Sequence, residues 1–229
     1  EEVRGFLSDR YRRLDSRPLL ESFVTASKAV GAVPFEGVSS DTRHSLRVVL
    51  PKIQEITPTE HVAFGLDWRN SDFGNGSYSV SFFALRLVCL NGMVGASGIK
   101  SIHVGTRLGD DIAFSDRTYQ LDTKRNVSAT TDVVRALLEP SRVQERVEGM
   151  RAAYEKETTW GAANRPLRNS LSKAEQGAVK DAFEGNEVVM LPAGKTVARF
   201  ANALSWVANN TENPARKIEL QQHAGRLMV

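Results

Sequence analysis

Arg43-His44-Ser45-Leu46-Arg47-Val48-Val49-Leu50 is the stretch on which the reading of the fold turns. His44, Leu46, Val48 and Leu50 alternate with Arg43, Ser45, Arg47 and Val49, and a two-residue period puts the two sets on opposite faces of a strand. The expected strand is half buried, and its polar face carries two guanidinium groups. Downstream, Pro51 and Pro58 bound the next connection, and His61 to Trp68 reads as a second strand. Asn70-Ser71-Asp72-Phe73-Gly74-Asn75-Gly76-Ser77 is rich in residues that tolerate positive φ and is expected to be a turn. Tyr78, Val80 and Phe82 against Ser77, Ser79 and Ser81 give a third strand. Phe83, Leu87, Leu90 and Val94 then have helical spacing, while the same apolar run would also serve as a buried strand; the spacing favours a helix. Asn91-Gly92 suits either a helix C-cap or a hairpin turn.

Upstream, Asp15 or Ser16 supplies an N-cap, Pro18 sits in the first turn, and Leu19, Phe23, Ser27 and Val30 recur at helical spacing until Gly31. From about Asn126 onward the chain reads as mainly helical, with Ser128, Thr130 or Thr131 as the first cap and Pro140 as an interruption. Ser172-Lys173-Ala174-Glu175 matches a capping box for a helix ending near Gly185, and two more helices follow, from Thr196 to about Asn209 and from Ala215 to about Leu227. Strands first and helices later predict an α+β fold, a curved antiparallel sheet backed by helices with a mainly helical C-terminal part. The expected organisation is a sheet-containing core over residues 1–125 and a helical part over 126–229 that packs on the same core, the two forming either two lobes or one domain.

The 229 residues are 41% apolar and 25% charged, enough to bury a core of ordinary size. A single cysteine, Cys89, excludes an internal disulfide and makes the reducing cytoplasm the expected setting. No apolar run approaches the roughly 20 residues that span a bilayer, so no membrane association is expected. The sequence starts at Glu1 without Met, which leads us to expect a piece of a longer product. The formal charge of +3, from 30 basic and 27 acidic residues, is too small to demand a polyanion. Its distribution says more: Arg4, Arg10, Arg12, Arg13 and Arg17 crowd the first seventeen residues around Tyr11.

Gly194-Lys195-Thr196 hints at a phosphate loop, but that loop needs a glycine where Val189 stands, and the simpler reading is a loop end followed by a helix cap. His44, His61, His103 and His223 are scattered and form no zinc motif. Asp110 and Asp111 are weak candidates for holding Mg²⁺ and lack a partner motif; a solvated loop is the plainer explanation. Cys89 lies in an apolar run and reads as a core thiol, and no nucleophile elbow is present. No cofactor is expected. Cations interleaved with aromatics remain, and these suit phosphates and stacked bases respectively.

Phe6-Leu7-Ser8-Asp9-Arg10-Tyr11-Arg12, the Asn70–Ser77 block, Arg86-Leu87-Val88-Cys89-Leu90-Asn91-Gly92-Met93 and His103-Val104-Gly105 resemble the phage/plasmid-like protein family, a domain of unknown function in bacterial mobile elements. Asn202-Ala203-Leu204-Ser205, Glu219-Leu220 and Ala224-Gly225-Arg226-Leu227 are similar to its closing segment, so the resemblance runs over nearly the whole chain. It implies a mobile-element protein in a cytoplasmic setting and carries over no catalytic residues.

Residues and resemblance together lead us to expect a non-catalytic protein that binds DNA, single strands above all, in recombination or replication, similar in task to phage single-strand annealing proteins. Arg10, Arg12, Arg13, Arg43, Arg47 and Arg86 would neutralise phosphates, while Tyr11 and Trp68 would stack on bases; Arg86 could instead tie Asp9 or Asp72 inside the fold. Two rivals stand beside this expectation: an interaction or homo-oligomer-forming protein acting on a host enzyme, and a metal-dependent nuclease using Asp110 and Asp111.

Overall fold

The computed structural model describes residues 14–73, 76–87, 91–101, 115–185 and 190–228. Its strands β1 (Val33–Ser39), β2 (Arg43–Thr57), β3 (Glu60–Ser71), β4 (Tyr78–Arg86) and β5 (Asn91–Ser101) form one antiparallel sheet in the order β1-β2-β3-β4-β5, not closed into a barrel. Helix α1 (Ser16–Ala29) precedes the sheet, and α2 (Asp116–Leu137), α3 (Pro140–Glu155), α4 (Trp160–Asn164), α5 (Lys173–Glu184), α6 (Val197–Asn209) and α7 (Pro214–Met228) follow it. The fold is α+β with a helical C-terminal part. Two compact units share it: one takes the chain to Pro51, Gly65–Phe82 and Ser97–Glu139, the other Lys52–Phe64, Phe83–Ala96 and the chain from Pro140.

In the first unit the Asp15 side chain accepts from the Arg17 amide at 3.1 Å and opens α1, whose Leu19, Phe23 and Ala26 are buried. Gly31, at φ +78°, takes the left-handed conformation that lets the chain turn from α1 into β1. Leu19 and Phe23 join Val48, Leu66, Trp68, Tyr78, Val80, Val134 and Leu137 in a single apolar cluster. The Ser22 hydroxyl ties α1 to α2 by donating to the Val127 carbonyl at 2.9 Å. Strand β1 pairs with β2 from Val33↔Val49 to Ser39↔His44, with an irregularity between Pro34 and Glu36.

In the second unit α6 is buried along most of its length, from Ala198 to Ala208. Phe200 stacks edge-on against Phe183 at 5.7 Å and lies 5.8 Å from Trp160. The buried Arg199 guanidinium donates to the carbonyls of Ala182, Phe183 and Gly185 and to that of Pro192, so the carbonyls left over at the end of α5 meet a cation. Helix α7 lies so close to β5 that a Cβ on Gly225 would collide with the Val94 carbonyl.

Three readings of the sequence are corrected here. Residues 83–86 extend β4 and residues 91–94 open β5, where helical spacing favoured a helix. Val80 to Arg86 are buried without a break, so the alternation that marks a half-exposed strand is absent. Pro51 does not end a strand, because β2 runs on to Thr57. Pairing with β1 stops at Val49, so beyond it the β2 backbone needs no ladder donor on that side, and proline is tolerated. Helix α2 begins at Asp116, with Ser115 as its cap, well before Asn126; its buried face includes Asn126 and Thr130, polar residues that hide the helical period.

Candidate nucleic-acid interface

Three cations of the sheet, Arg47, Arg69 and Arg86, are held by carboxylates. Arg47, on the polar face of β2, donates from Nε to Asp67 Oδ1 at 2.9 Å and from Nη1 to Glu36 Oε2 at 2.7 Å. Arg69 Nη2 meets the other oxygen of Asp67 at 2.5 Å, and burial lowers its pKa below the usual guanidinium value. Asp67 therefore sits between two guanidinium groups. Arg86 is buried in the second unit, where its Nε donates to Glu60 Oε2 at 2.6 Å and its Nη atoms reach Glu60 Oε1 and the Met190 carbonyl. Burial, and then the Glu60 carboxylate, push the Tyr154 phenol up beside this pair.

These positions correct three expected contacts. Arg47 and Arg86 serve carboxylates of the fold, Arg86 meeting Glu60, while Asp9 lies outside the described residues. Trp68 is fully buried, its ring 6.3 Å from Phe23 and 6.4 Å from Tyr78, so it has no free face for a base. Arg43 is exposed at the start of β2. Arg10, Tyr11, Arg12 and Arg13, like Asp110 and Asp111, lie outside the described residues. The first described residue, Leu14, is held by its carbonyl, which accepts from Asn70 Nδ2 at 2.8 Å. The next turn is held too: Asp72 accepts from the Ser16 amide at 3.1 Å.

Helix α2 adds Arg117 and Arg135, which the sequence reading did not name, to Lys124, which belongs to its cations interleaved with aromatics. Its buried residues Asn126, Thr130, Val134 and Leu137 mark the inner face, and Arg117, Lys124 and Arg135 are exposed. The three cations are separated by seven and eleven residues, close to two and three turns, so they fall in one line on the outer face, spaced about 10 Å and about 16 Å apart at 1.5 Å per residue. The exposed Leu121 and Ser128 lie in the same line, and the Arg125–Asp122 pair at 3.0 Å stands to its side. The signal was present in the sequence, but with polar residues on both faces no apolar stripe revealed which one was outside.

Between α1 and the β1–β2 hairpin of the first unit lies an open groove of about 530 Å³, walled by Leu20, Val38 and Leu46 and bearing Ser39, His44 and Asp72. Gly194-Lys195-Thr196 serves a helix cap: Gly194 adopts φ +75°, Thr196 Oγ1 accepts from the Arg199 amide at 3.2 Å, and Lys195 pairs with Glu184. Among the described residues no group of three or more His, Cys, Asp or Glu is placed to hold a metal ion, and no helix is long and apolar enough to cross a membrane. Comparison with protein-family models, curated proteins and solved structures finds no match.

Proposed function

We propose that the chain is a DNA-binding protein of a phage or plasmid that holds single strands during recombination or replication, in the cytoplasm. The observation that supports this reading is the line of Arg117, Lys124 and Arg135 along the outer face of α2, offered to solvent while Arg47, Arg69 and Arg86 of the sheet are kept for carboxylates. A straight row of cations on a rigid helix attracts a phosphate backbone without reading its bases. The basic residues Arg10, Arg12 and Arg13, which precede Leu14 in the sequence, add to this, and Arg43 is a further exposed cation. Fluorescence anisotropy of labelled single- and double-stranded oligonucleotides at two salt concentrations tests the reading. Binding that favours the single strand and weakens steeply with salt supports it; binding to neither contradicts it.

A second reading has its own observation. All seven residues of β1 are exposed at the sheet edge, among them Val33, Phe35 and Val38, and such an edge suits pairing with another chain. Pro34 and Glu36 blunt the same edge, which is why this reading stands second. Light scattering after size exclusion decides it: a monomer at high concentration removes self-assembly.

A further inference from the structure

Ser39 and His44 face each other as the last register pair of β1 and β2, and Asp72 follows directly on the last residue of β3. Ser39 Oγ lies 2.8 Å from His44 Nδ1, and His44 Nε2 lies 3.6 Å from Asp72 Oδ2. The other carboxylate oxygen, Oδ1, accepts from the Ser16 amide at 3.1 Å and from the Ser16 hydroxyl at 2.6 Å, so the carboxylate is fixed from behind. A carboxylate at Nε2 favours the tautomer with its proton there, which leaves the Nδ1 lone pair for the Ser39 hydroxyl proton. The three groups lie in the groove of about 530 Å³, beside its apolar wall of Leu20, Val38 and Leu46. A nucleophile hydrogen-bonded to a base, with a carboxylate 3.6 Å from that base's other nitrogen, is close to the arrangement that activates a serine, whatever the fold that carries it.

The geometry points to an acyl-transfer site in which Ser39 is the nucleophile, His44 the general base and Asp72 a positioning residue, acting on carboxylic esters whose acyl group lies along the apolar wall. Ser39 Oγ attacks the ester carbonyl carbon as its proton passes to His44 Nδ1. The tetrahedral adduct collapses, the ester C–O bond breaks, and the alcohol leaves with the proton from His44. Water, deprotonated by His44, then attacks the acyl-serine and releases the acid and free Ser39. The groove is open, and water reaches the charge on the carbonyl oxygen. Loss of one dedicated donor for that charge costs about 100- to 1000-fold in rate, so turnover is slow and covalent capture is the readout of choice.

The test treats the full chain with an alkyl fluorophosphonate: an Oγ–P bond forms, the P–F bond breaks, fluoride leaves and the proton goes to His44. Mass spectrometry with peptide mapping is expected to find one adduct on Ser39, abolished in Ser39→Ala, at least 100-fold slower in His44→Gln, and unchanged in Ser45→Ala. Ring ¹⁵N shifts of His44 are expected to report the Nε2–H tautomer in the unmutated protein and a mixture of tautomers in Asp72→Asn, a change that a purely structural role for Asp72 would not produce. No adduct, an adduct on another serine, or labelling of His44→Gln at the unmutated rate would each overturn the assignment.

Discussion

Arg86 and Glu60 show why a charged residue in a sequence does not declare its use. Both are nearly fully buried, and each offsets the cost of taking the other's charge out of water. Removing one partner strands the other, so Glu60→Ala should destabilise the protein by about 3–5 kcal/mol in urea unfolding, whereas Glu60→Leu combined with Arg86→Met should recover most of the loss. Glu175 illustrates the opposite, partly solvated case. Arg216 grips it with Nε and Nη2, both at 2.7 Å, and with the Ser172 cap holds its pKa at about 2 against an ordinary 4.5. A carboxylate depressed in the folded state stabilises it fully above the unfolded value and loses that contribution as pH falls through the folded one. Stability measured from pH 6 to 2 should therefore decline between about 4.5 and about 2, and Glu175→Gln should flatten that part of the curve. Pairing of this kind was not legible in the chain, because Glu60 and Arg86, like Asp67 and Arg47, are brought together by strand pairing and not by sequence spacing.

Elements with a local signature were legible. The caps at Asp15, Ser172 and Thr196 and the left-handed Gly31 all stand where their side-chain chemistry places them. The segment from residue 83 to 94 failed because its strands are buried on both faces, and α2 was entered late because its inner face is polar. The packing of α7 against β5 was likewise hidden, since it rests on an atom that is missing. Gly225→Ala places a methyl group against the Val94 carbonyl, and neither main chain yields cheaply; thermal unfolding should show a loss of about 1–3 kcal/mol. The same substitution at Gly177, on α5 with open space around it, should stabilise the helix slightly, by less than about 1 kcal/mol.

At the scale of the molecule, strands-then-helices was readable from the change in texture along the chain, and it is the architecture found. The two compact units draw on alternating segments because β2, β3, β4 and β5 each continue from one unit into the other. The functional account also belongs to this scale, since it depends on which cations the folded chain leaves outside. The direct measurement is the dependence of single-strand oligonucleotide affinity on salt for the unmutated protein and for the Arg117→Ala, Lys124→Ala, Arg135→Ala triple variant. At about 0.7 per neutralised phosphate, loss of three contacts should lower the slope of log K against log salt by about 2 while the thermal transition stays unchanged. An unchanged slope in a folded triple variant would contradict the account.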